Sequence, residues 1–257
     1  SRKTLSDFSV ISKHLPNFQQ ALLDWFAEHQ RPLPWRQHQR PYEIWVSEIM
    51  LQQTRVATVI DYFNRWMHKW PSIEDLANAE PDEVLAAWKG LGYYSRSARI
   101  HEAAKKVAAD KNMQGLLPEL PQDLSREVPG VGPYTAGAIS SIVFGHAVPI
   151  VDGNVIRVLC RQMGLMASTK EKATMDFLWE SARRLVRRIA LDSLPDHRSE
   201  DPGEEAETVN GDQLLPRSKV PGGWNQALME LGRSVPCSAK ACYSGQLKFF
   251  GASLLQH

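Results

Sequence analysis

The sequence has little cysteine and no long apolar run. Its 257 residues include only three cysteines, Cys160, Cys237 and Cys242, which are too few for a disulfide framework and favour a reducing compartment. No stretch of about 18 apolar residues occurs, and the N-terminal SRKTLSDFSV lacks the apolar centre of a signal peptide. We therefore expect neither a membrane protein nor a secreted one. The expected location is the nucleus or mitochondrion of a eukaryotic cell, otherwise the cytoplasm; a chain that starts at Ser1 can also be a fragment.

The chain also lacks the strong basic excess that is typical of proteins that hold nucleic acid, since its net charge is +1. The acidic residues are concentrated in residues 192–212, which carry eight carboxylates against the single basic Arg198. The rest of the chain has 29 basic and 21 acidic residues, a balance that suits contact with phosphates. We predict that the acidic stretch lies outside any DNA path, and an alternative is that it binds a protein partner.

Strand-like alternation is almost absent, whereas apolar residues recur at helical spacing along most of the chain. Helix-start residues agree, because Asn17, Ser72 and Pro81 each stand where an apolar-periodic segment begins. We predict an all-α protein. Residues 191–223 are polar, acidic and rich in Pro and Gly, which indicates a flexible insertion, and a short helix is predicted over 224–232.

A glycine-rich turn lies inside the segment LSREVPGVGPYTAGAISSIVF, residues 124–144. Gly130 and Gly132 permit a tight hairpin around Val131 and let the backbone approach a phosphate closely. The following helix, which opens with Pro133, offers unpaired N–H groups to that anion. The pattern indicates a helix-hairpin-helix motif, with an ordinary turn between two helices as the alternative.

Two carboxylates are candidates for chemistry. Asp152 precedes a helix start, so it is either a plain N-cap or a catalytic group. Glu48 is flanked on a helical wheel by apolar side chains such as Ile44 and Trp45. An apolar surrounding disfavours the charged form, which would raise the pKa of Glu48 and let it act as a general acid. The alternative for Glu48 is a solvated acid at the edge of its helix.

Five motifs occur in a fixed order: LPWR (33–36), WVSEIMLQQT (45–54), GLGYYSR (90–96), VPGVGPYTAGAI (128–139) and VDGNVIRVLCR (151–161), with a weaker sixth, NQALMELG (225–232). Together they resemble the helix-hairpin-helix superfamily of DNA glycosylases, and within it adenine DNA glycosylases of the MutY type. The resemblance implies an all-α, two-domain fold with the DNA cleft between the domains. A six-helix module, residues 41–150, would carry Glu48 and the hairpin, and residues 1–40 with 151–257 would form the second helical module.

The resemblance implies a monofunctional enzyme of base excision repair. It would bind double-stranded DNA as a monomer and hydrolyse the N-glycosidic bond of adenine mispaired with 8-oxoguanine or guanine. Glu48 would protonate the base at N7, and Asp152 would stabilise the oxocarbenium-like sugar or trap it covalently. Tyr134 and Asn154 would orient this carboxylate pair. The adenine must leave the base stack, because the bond to be cut is unreachable inside a duplex.

Further matching positions name the residues that would contact DNA. Trp35, Arg36 and Glu230 would line the pocket for the extruded adenine. Gln53 and Tyr93 would wedge into the duplex beside the mispaired guanine, and the alternative for Tyr93 and its neighbour Tyr94 is core packing. The full set expected to bind DNA is Gln53, Thr54, Tyr93, Gly130, Val131 and Gly132.

Rival functions depend on other residues. A glycosylase-lyase that resembles endonuclease III needs a lysine amine in the second hairpin helix, where this chain has Tyr134. In a thymine glycosylase of the same fold Glu48 would be unexpected. A non-catalytic DNA-binding module would need neither carboxylate, and a catalytically impaired or truncated DNA-binding form of the same family is the remaining alternative.

The expected chemistry requires no cofactor, although the family usually carries a [4Fe–4S] cluster on four cysteines after the position of Gly232. Here only Cys237 and Cys242 follow it, with four residues between them, so the cluster set is incomplete. Cys160 is predicted to be a small buried apolar residue. The family's C-terminal domain for 8-oxoguanine is also not in this sequence, and a clusterless variant, a fragment and a splice form all stay open.

We predict that this chain binds no intact [4Fe–4S] cluster, because such a centre generally takes four protein ligands and two thiolates with His257 still leave the set short. Without that anchor the residues after Gly232 are expected to fray and duplex affinity to be weaker than the family norm. Iron and sulfide analysis of anaerobically purified protein checks this. Four irons per chain would contradict it, whereas a colourless, active protein would agree with it.

Overall fold

The computed structural model describes residues 9–165, 167–193 and 217–234, and every regular element in these ranges is helical. The elements are α1 (Ser9–His29), a 3-10 helix (Pro34–Arg36), α2 (Pro41–Leu51), α3 (Val56–Lys69), α4 (Ile73–Ala77), α5 (Pro81–Trp88), α6 (Ser95–Ala109), α7 (Pro121–Glu127), α8 (Pro133–Ile142), α9 (Gly153–Gln162), α10 (Lys172–Asp192) and α11 (Lys219–Ser234). The prediction of an all-α protein is confirmed. None of the described helices is both long and apolar enough to cross a lipid bilayer.

The chain forms two compact units. The inserted unit is Arg31–Phe144, and the discontinuous unit comprises Ser1–Gln30 and Gly145–His257. The modules expected from the sequence, 41–150 and the remainder, therefore have different boundaries. The 3-10 helix joins the inserted unit because Trp35 packs into its core. Gly145 belongs to the other unit, where its carbonyl accepts a hydrogen bond from the Ser218 N–H at 3.2 Å.

Indole rings dominate the core of the inserted unit. Trp66 lies edge-on to Trp70 and to Trp88, with ring centroids 4.8 and 5.4 Å apart. The Trp66 indole N–H donates to the Tyr42 hydroxyl at 3.1 Å, and that hydroxyl donates to the Trp70 carbonyl at 3.1 Å. Burial raises the pKa of Tyr42, so the phenol stays neutral and fills both roles. The buried polar atoms of Trp66 and Tyr42 are thus paired inside this core.

The inserted unit, all of which the structure describes, contains the seven helices α2–α8 rather than the six expected. The five-residue α4 is held by a capping box, in which the Asp75 N–H donates to the Ser72 hydroxyl and the Ser72 N–H donates to the Asp75 carboxylate, both at 3.1 Å. The capping signal marks its start, but five residues are too few for apolar periodicity to register.

The discontinuous unit is built from α1, α9, α10 and α11 around one apolar core. Phe18 of α1 meets Trp224 of α11 edge to face, with centroids 5.8 Å apart. This contact joins a residue that precedes the inserted unit in the chain to one that follows it.

Helix α11 begins at Lys219, five residues before the predicted Trp224, so the predicted insertion over 191–223 is too long at this end. Pro221 and Gly222 are buried residues of this helix. Proline is tolerated in the first turn because the N–H that it lacks would have no partner within the helix. At the other end α10 continues to Asp192. Residues 194–216, most of the acidic stretch, lie outside the described residues.

Candidate active site

Asp152 lies at the start of α9, in the discontinuous unit, and is half-buried. Its Oδ1 accepts hydrogen bonds from the backbone N–H groups of Asn154 and Val155 at 2.9 and 2.8 Å. Its Oδ2 accepts from the Asn154 side-chain amide at 2.6 Å. The residue is therefore an N-cap, as one of its two sequence interpretations predicts. Capping fixes the orientation of the carboxylate and does not exclude a catalytic role.

A polar chain extends from this carboxylate towards α11. The Asn154 side-chain oxygen accepts a hydrogen bond from Arg157 Nη2, and Arg157 Nε donates to the Gly232 carbonyl at 3.2 Å. Gly232 itself lies so close to α9 that a Cβ there would stand 2.3 Å from the Asn154 carbonyl oxygen. The position of the Asp152 carboxylate thus depends on how closely α11 approaches the start of α9.

Two buried polar residues of α11 lie in the same unit. The Asn225 side-chain amide donates to the Val148 carbonyl at 2.9 Å, which ties α11 to the extended segment before α9. Glu230 is 5% exposed, and its Oε1 lies 3.9 Å from Arg233 Nη1. A buried glutamate on this helix is consistent with its predicted place in a substrate pocket, which stays a prediction.

Glu48 lies on α2 in the inserted unit and is 6% exposed. The alternative of a solvated helix-edge acid is therefore wrong. Tyr134 is half-buried in the first turn of α8. The expected roles of Glu48 as acid and Tyr134 as orienting group stay predictions.

Trp35 and Arg36, the other expected pocket residues, form the 3-10 helix. Trp35 is 5% exposed and lies edge-on to Phe63, with centroids 5.3 Å apart. Arg36 is half-buried, and its Nη1 donates to the Arg31 carbonyl at 3.2 Å. Trp35 thus has a structural role in the core of the inserted unit whatever it contacts in a complex.

The glycine-rich turn is a hairpin between α7 and α8. Gly130 has φ of +80°, in the left-handed region that favours glycine, and it is exposed. Exposed Gly132 precedes α8 and has no side chain, so it offers the first N–H groups of α8 no side-chain acceptor. The Val131 side chain is buried, which leaves only the backbone of that residue for an outside ligand. This geometry suits a phosphate oxygen.

Gln53 and Tyr93 occupy two loops of the inserted unit with unusual backbone conformations. Their φ values are +56° and +47°, which costs a non-glycine residue about 1–3 kcal/mol. The side chains of Gln53 and Tyr93 are exposed, that of Tyr93 to 60%. The neighbouring Tyr94 is 48% exposed, so the alternative of core packing for the two tyrosines is wrong. Thr54 is half-buried, and its hydroxyl lies 3.5 Å from the Leu91 carbonyl, so the two loops meet.

Cysteine and metal positions are only partly described. Cys237 and Cys242 lie outside the described residues. Among the described residues, no group of three or more His, Cys, Asp or Glu side chains is placed to hold a metal ion. Cys160 is half-buried and packs against the core of the discontinuous unit, close to its predicted role.

A family model described as the HhH-GPD superfamily base excision DNA repair protein matches residues 46–184, more than half of the chain. This chain belongs to the HhH-GPD superfamily. The match includes Glu48, both exposed loops, the hairpin and Asp152, which the sequence motifs had singled out.

Named relatives of this HhH-GPD chain include adenine DNA glycosylases. The chain is 43% identical to that of Rattus norvegicus over 226 residues and 42% identical to that of Homo sapiens over 226 residues, each match covering 85% of this chain. It is 39% identical to that of Arabidopsis thaliana over 263 residues, covering 90% of this chain. The matches span 38%, 36% and 36% of those relatives, so the chain corresponds to a little over a third of their length.

Solved structures agree on the fold. The chain is similar to a thermostable thymine-DNA glycosylase with a TM-score of 0.65 at 24% identity, covering 90% of this chain and 91% of that one. It is similar to endonuclease III in a non-covalent DNA complex with a TM-score of 0.61 at 18% identity, covering 95% and 98%. The predicted all-α fold of the helix-hairpin-helix glycosylases is confirmed.

Two arginines of this HhH-GPD chain were missed by the sequence reasoning. Arg157 contacts Asn154, and Arg96 contacts the loops of Gln53 and Tyr93. Arg157 follows Asn154 by three residues on α9, so helical spacing could have indicated their contact. Arg96 ends the motif GLGYYSR and binds Leu91 and Gly92 inside it, but its other partners lie at the end of α2 and in the loop after it, and no local pattern indicates those.

We predict that Gly232→Ala destabilises the protein, because the new Cβ would overlap the Asn154 carbonyl and force α11 away from α9. The free energy of unfolding should fall by about 1–3 kcal/mol in urea denaturation. Gly223→Ala on the same helix is the control, since its Cβ would meet only Leu23 at an ordinary 3.8 Å. That variant should gain about 0.5–1 kcal/mol from helix propensity. Equal stability of the two variants would contradict the close approach.

Proposed function

We propose that the chain is the glycosylase part of a base excision repair enzyme that hydrolyses the N-glycosidic bond of adenine mispaired with 8-oxoguanine or guanine. The observation that carries the proposal is the 42–43% identity to mammalian adenine DNA glycosylases over 226 residues that include both candidate carboxylates. The 8-oxoguanine preference is the finer part of the proposal, and double-stranded DNA is the proposed partner.

The proposed chemistry divides charge between two groups. Cleavage builds negative charge on the adenine and positive charge on the deoxyribose, and a single group cannot stabilise both charges. Glu48, buried in α2, supplies a proton to the base, while the Asp152 carboxylate stabilises the cationic sugar or bonds to it before water completes hydrolysis. The Asn154 amide holds one Asp152 oxygen and the backbone N–H groups hold the other, so the carboxylate is fixed before substrate arrives.

The residues proposed to bind DNA differ from those proposed to cleave the N-glycosidic bond. The hairpin backbone at Gly130 and Gly132 and the open start of α8 take phosphate oxygens, which position the duplex without reading its sequence. Gln53 and Tyr93, exposed on their loops, enter the duplex and fill the space that the extruded adenine leaves. Trp35, Arg36 and Glu230 line the pocket for that base.

We predict that Glu48→Gln and Asp152→Asn each abolish most base release while leaving duplex binding nearly intact, because the phosphate contacts lie elsewhere. The single-turnover rate on an adenine:8-oxoguanine duplex should fall by about 10²–10⁴-fold for each. Asparagine also caps helices well, so Asp152→Asn should keep the two backbone bonds of the cap and lose only the bond from the Asn154 amide. Fluorescence anisotropy with the same duplex measures the binding.

The matched control is Glu43→Gln, which neutralises a half-buried carboxylate on the same helix as Glu48. Its rate should stay within about twofold of the unmodified protein. If the unmodified protein binds the duplex and releases no adenine, the chain is a DNA-binding form without activity and the proposal fails. Near-normal cleavage by Glu48→Gln would instead contradict only the assignment of the acid.

We predict that the abasic product stays uncut until alkali or a second enzyme acts on it, because Tyr134 stands where a lyase has its lysine and supplies no amine. Borohydride should therefore trap no protein–DNA adduct at the rate of base release. Tyr134→Lys is the informative variant, since an amine at this position in α8 should produce trapping. Adduct formation by the unmodified protein as fast as base release would contradict the monofunctional assignment.

A further inference from the structure

Arg96 is a buried arginine, 6% exposed, in the first turn of α6. Its Nη1 donates to the last carbonyls of α2 and to the residue after them, at 2.7, 3.0 and 2.7 Å from the oxygens of Ile49, Met50 and Gln52. A helix leaves its last four carbonyls without partners inside the helix, and they carry partial negative charge. The guanidinium therefore closes the C-terminus of α2.

The other terminal nitrogen of Arg96 serves the second loop. Its Nη2 donates to the carbonyls of Leu91 and Gly92 at 3.4 and 3.1 Å, and to the Thr54 hydroxyl at 3.2 Å. The guanidinium also lies over the ring of Tyr93, 5.5 Å from its centroid. One side chain thus joins the loop that holds Gln53 to the loop that holds Tyr93.

These bonds flank the two residues with left-handed backbones. Arg96 binds the carbonyl before Gln53, the hydroxyl after Gln53 and the carbonyl before Tyr93. A residue with φ near +50° returns to a relaxed conformation unless its neighbours are held. The bonds of Arg96 supply that restraint in both loops at once.

We propose that Arg96 is a positioning residue that presents Gln53 and Tyr93 together to the duplex, so that both side chains enter the base stack in one register. The proposal rests on the function proposed above, which assigns the wedge roles to these two residues. Arg96 itself touches neither the adenine nor the sugar. It acts through the backbone of the two loops.

The surroundings of Arg96 extend the same link to the phosphate-binding hairpin. A small pocket is lined by Arg96 together with Pro129 and Gly130 of the hairpin and Gln52 of the first loop. The hairpin and the end of α2 therefore border the same pocket as the Arg96 side chain.

Lysine cannot replace arginine here. Five of the six acceptors are backbone carbonyls and the sixth is a hydroxyl, spread over two loops that the planar guanidinium spans with two terminal nitrogens. A single ammonium reaches one loop and leaves the carbonyls of the other without a partner. Desolvation by burial lowers the pKa of Arg96, and a lysine ammonium in its place would suffer the same burial with fewer bonds.

The first test is Arg96→Lys in the full chain, compared with the unmodified protein and with Val107→Ala, which removes buried apolar atoms further along the same helix. The single-turnover rate on adenine:8-oxoguanine duplex should fall by about 10- to 100-fold for Arg96→Lys, because misplacing the wedge misplaces the extruded base. The loss should shrink for adenine in a bulge, where less unstacking is needed. Val107→Ala, destabilised to a similar degree in urea, should lose rate equally on both substrates.

The second test is a double-mutant cycle. If Arg96 acts through the wedge, Arg96→Lys in a protein that already carries Gln53→Ala and Tyr93→Ala should lower the rate no further, within about twofold. Independent, multiplicative losses would overturn the proposal and assign Arg96 a general structural role.

A third measurement separates this proposal from the proposed function. Amide hydrogen exchange on the protein without DNA should accelerate over residues 50–54 and 91–94 in Arg96→Lys and not in Val107→Ala. Unchanged exchange in both loops would overturn the positioning role even if adenine is excised normally. If no adenine is excised by the unmodified protein, the proposed function fails, while accelerated exchange still supports Arg96 as the restraint on both loops.

Discussion

The organising constraint of this molecule is that helix ends leave backbone groups without partners, and each end must bind something. Three of the candidate functional features lie at such ends. The start of α9 is closed by Asp152, the end of α2 is closed by Arg96, and the start of α8 after Gly132 receives no side-chain cap. Two ends are thus satisfied inside the protein and keep their surroundings rigid. The third is the end that the proposed function assigns to a phosphate of the duplex.

The division of labour between the two units follows from this constraint. The inserted unit contains Glu48, the hairpin and both exposed loops, all supported by its indole-rich core. The discontinuous unit contains Asp152 with Asn154 and Arg157, supported by the approach of α11 to α9. Each unit therefore orients its own carboxylate with its own helices. Neither carboxylate is positioned by a surface loop.

Local sequence signals predicted the features that are themselves local. Helical periodicity gave the all-α class, and the glycines at 130 and 132 gave the hairpin. Asp152 stands before a helix in the sequence and caps one in the structure. Residues 219–223 were assigned to a loop because Pro and Gly usually end helices, yet burial against the core outweighs that preference. Arg96 had no role from its motif, since its acceptors at the end of α2 and on the next residue, Gln52, lie 44–47 residues earlier in the chain.

The pairing of Phe18 with Trp224 has a consequence for the order in which the molecule assembles. Residues 31–144 form a continuous segment with a core of their own, so this unit can fold as soon as it leaves the ribosome. Helix α1 is made before the inserted unit, but its Phe18 meets Trp224 only when α11 has emerged, more than 180 residues later. During synthesis the apolar face of α1 therefore stays uncovered by α11 after the inserted unit is complete. The long sequence separation also gives this closure a larger entropic cost than contacts between neighbouring helices have.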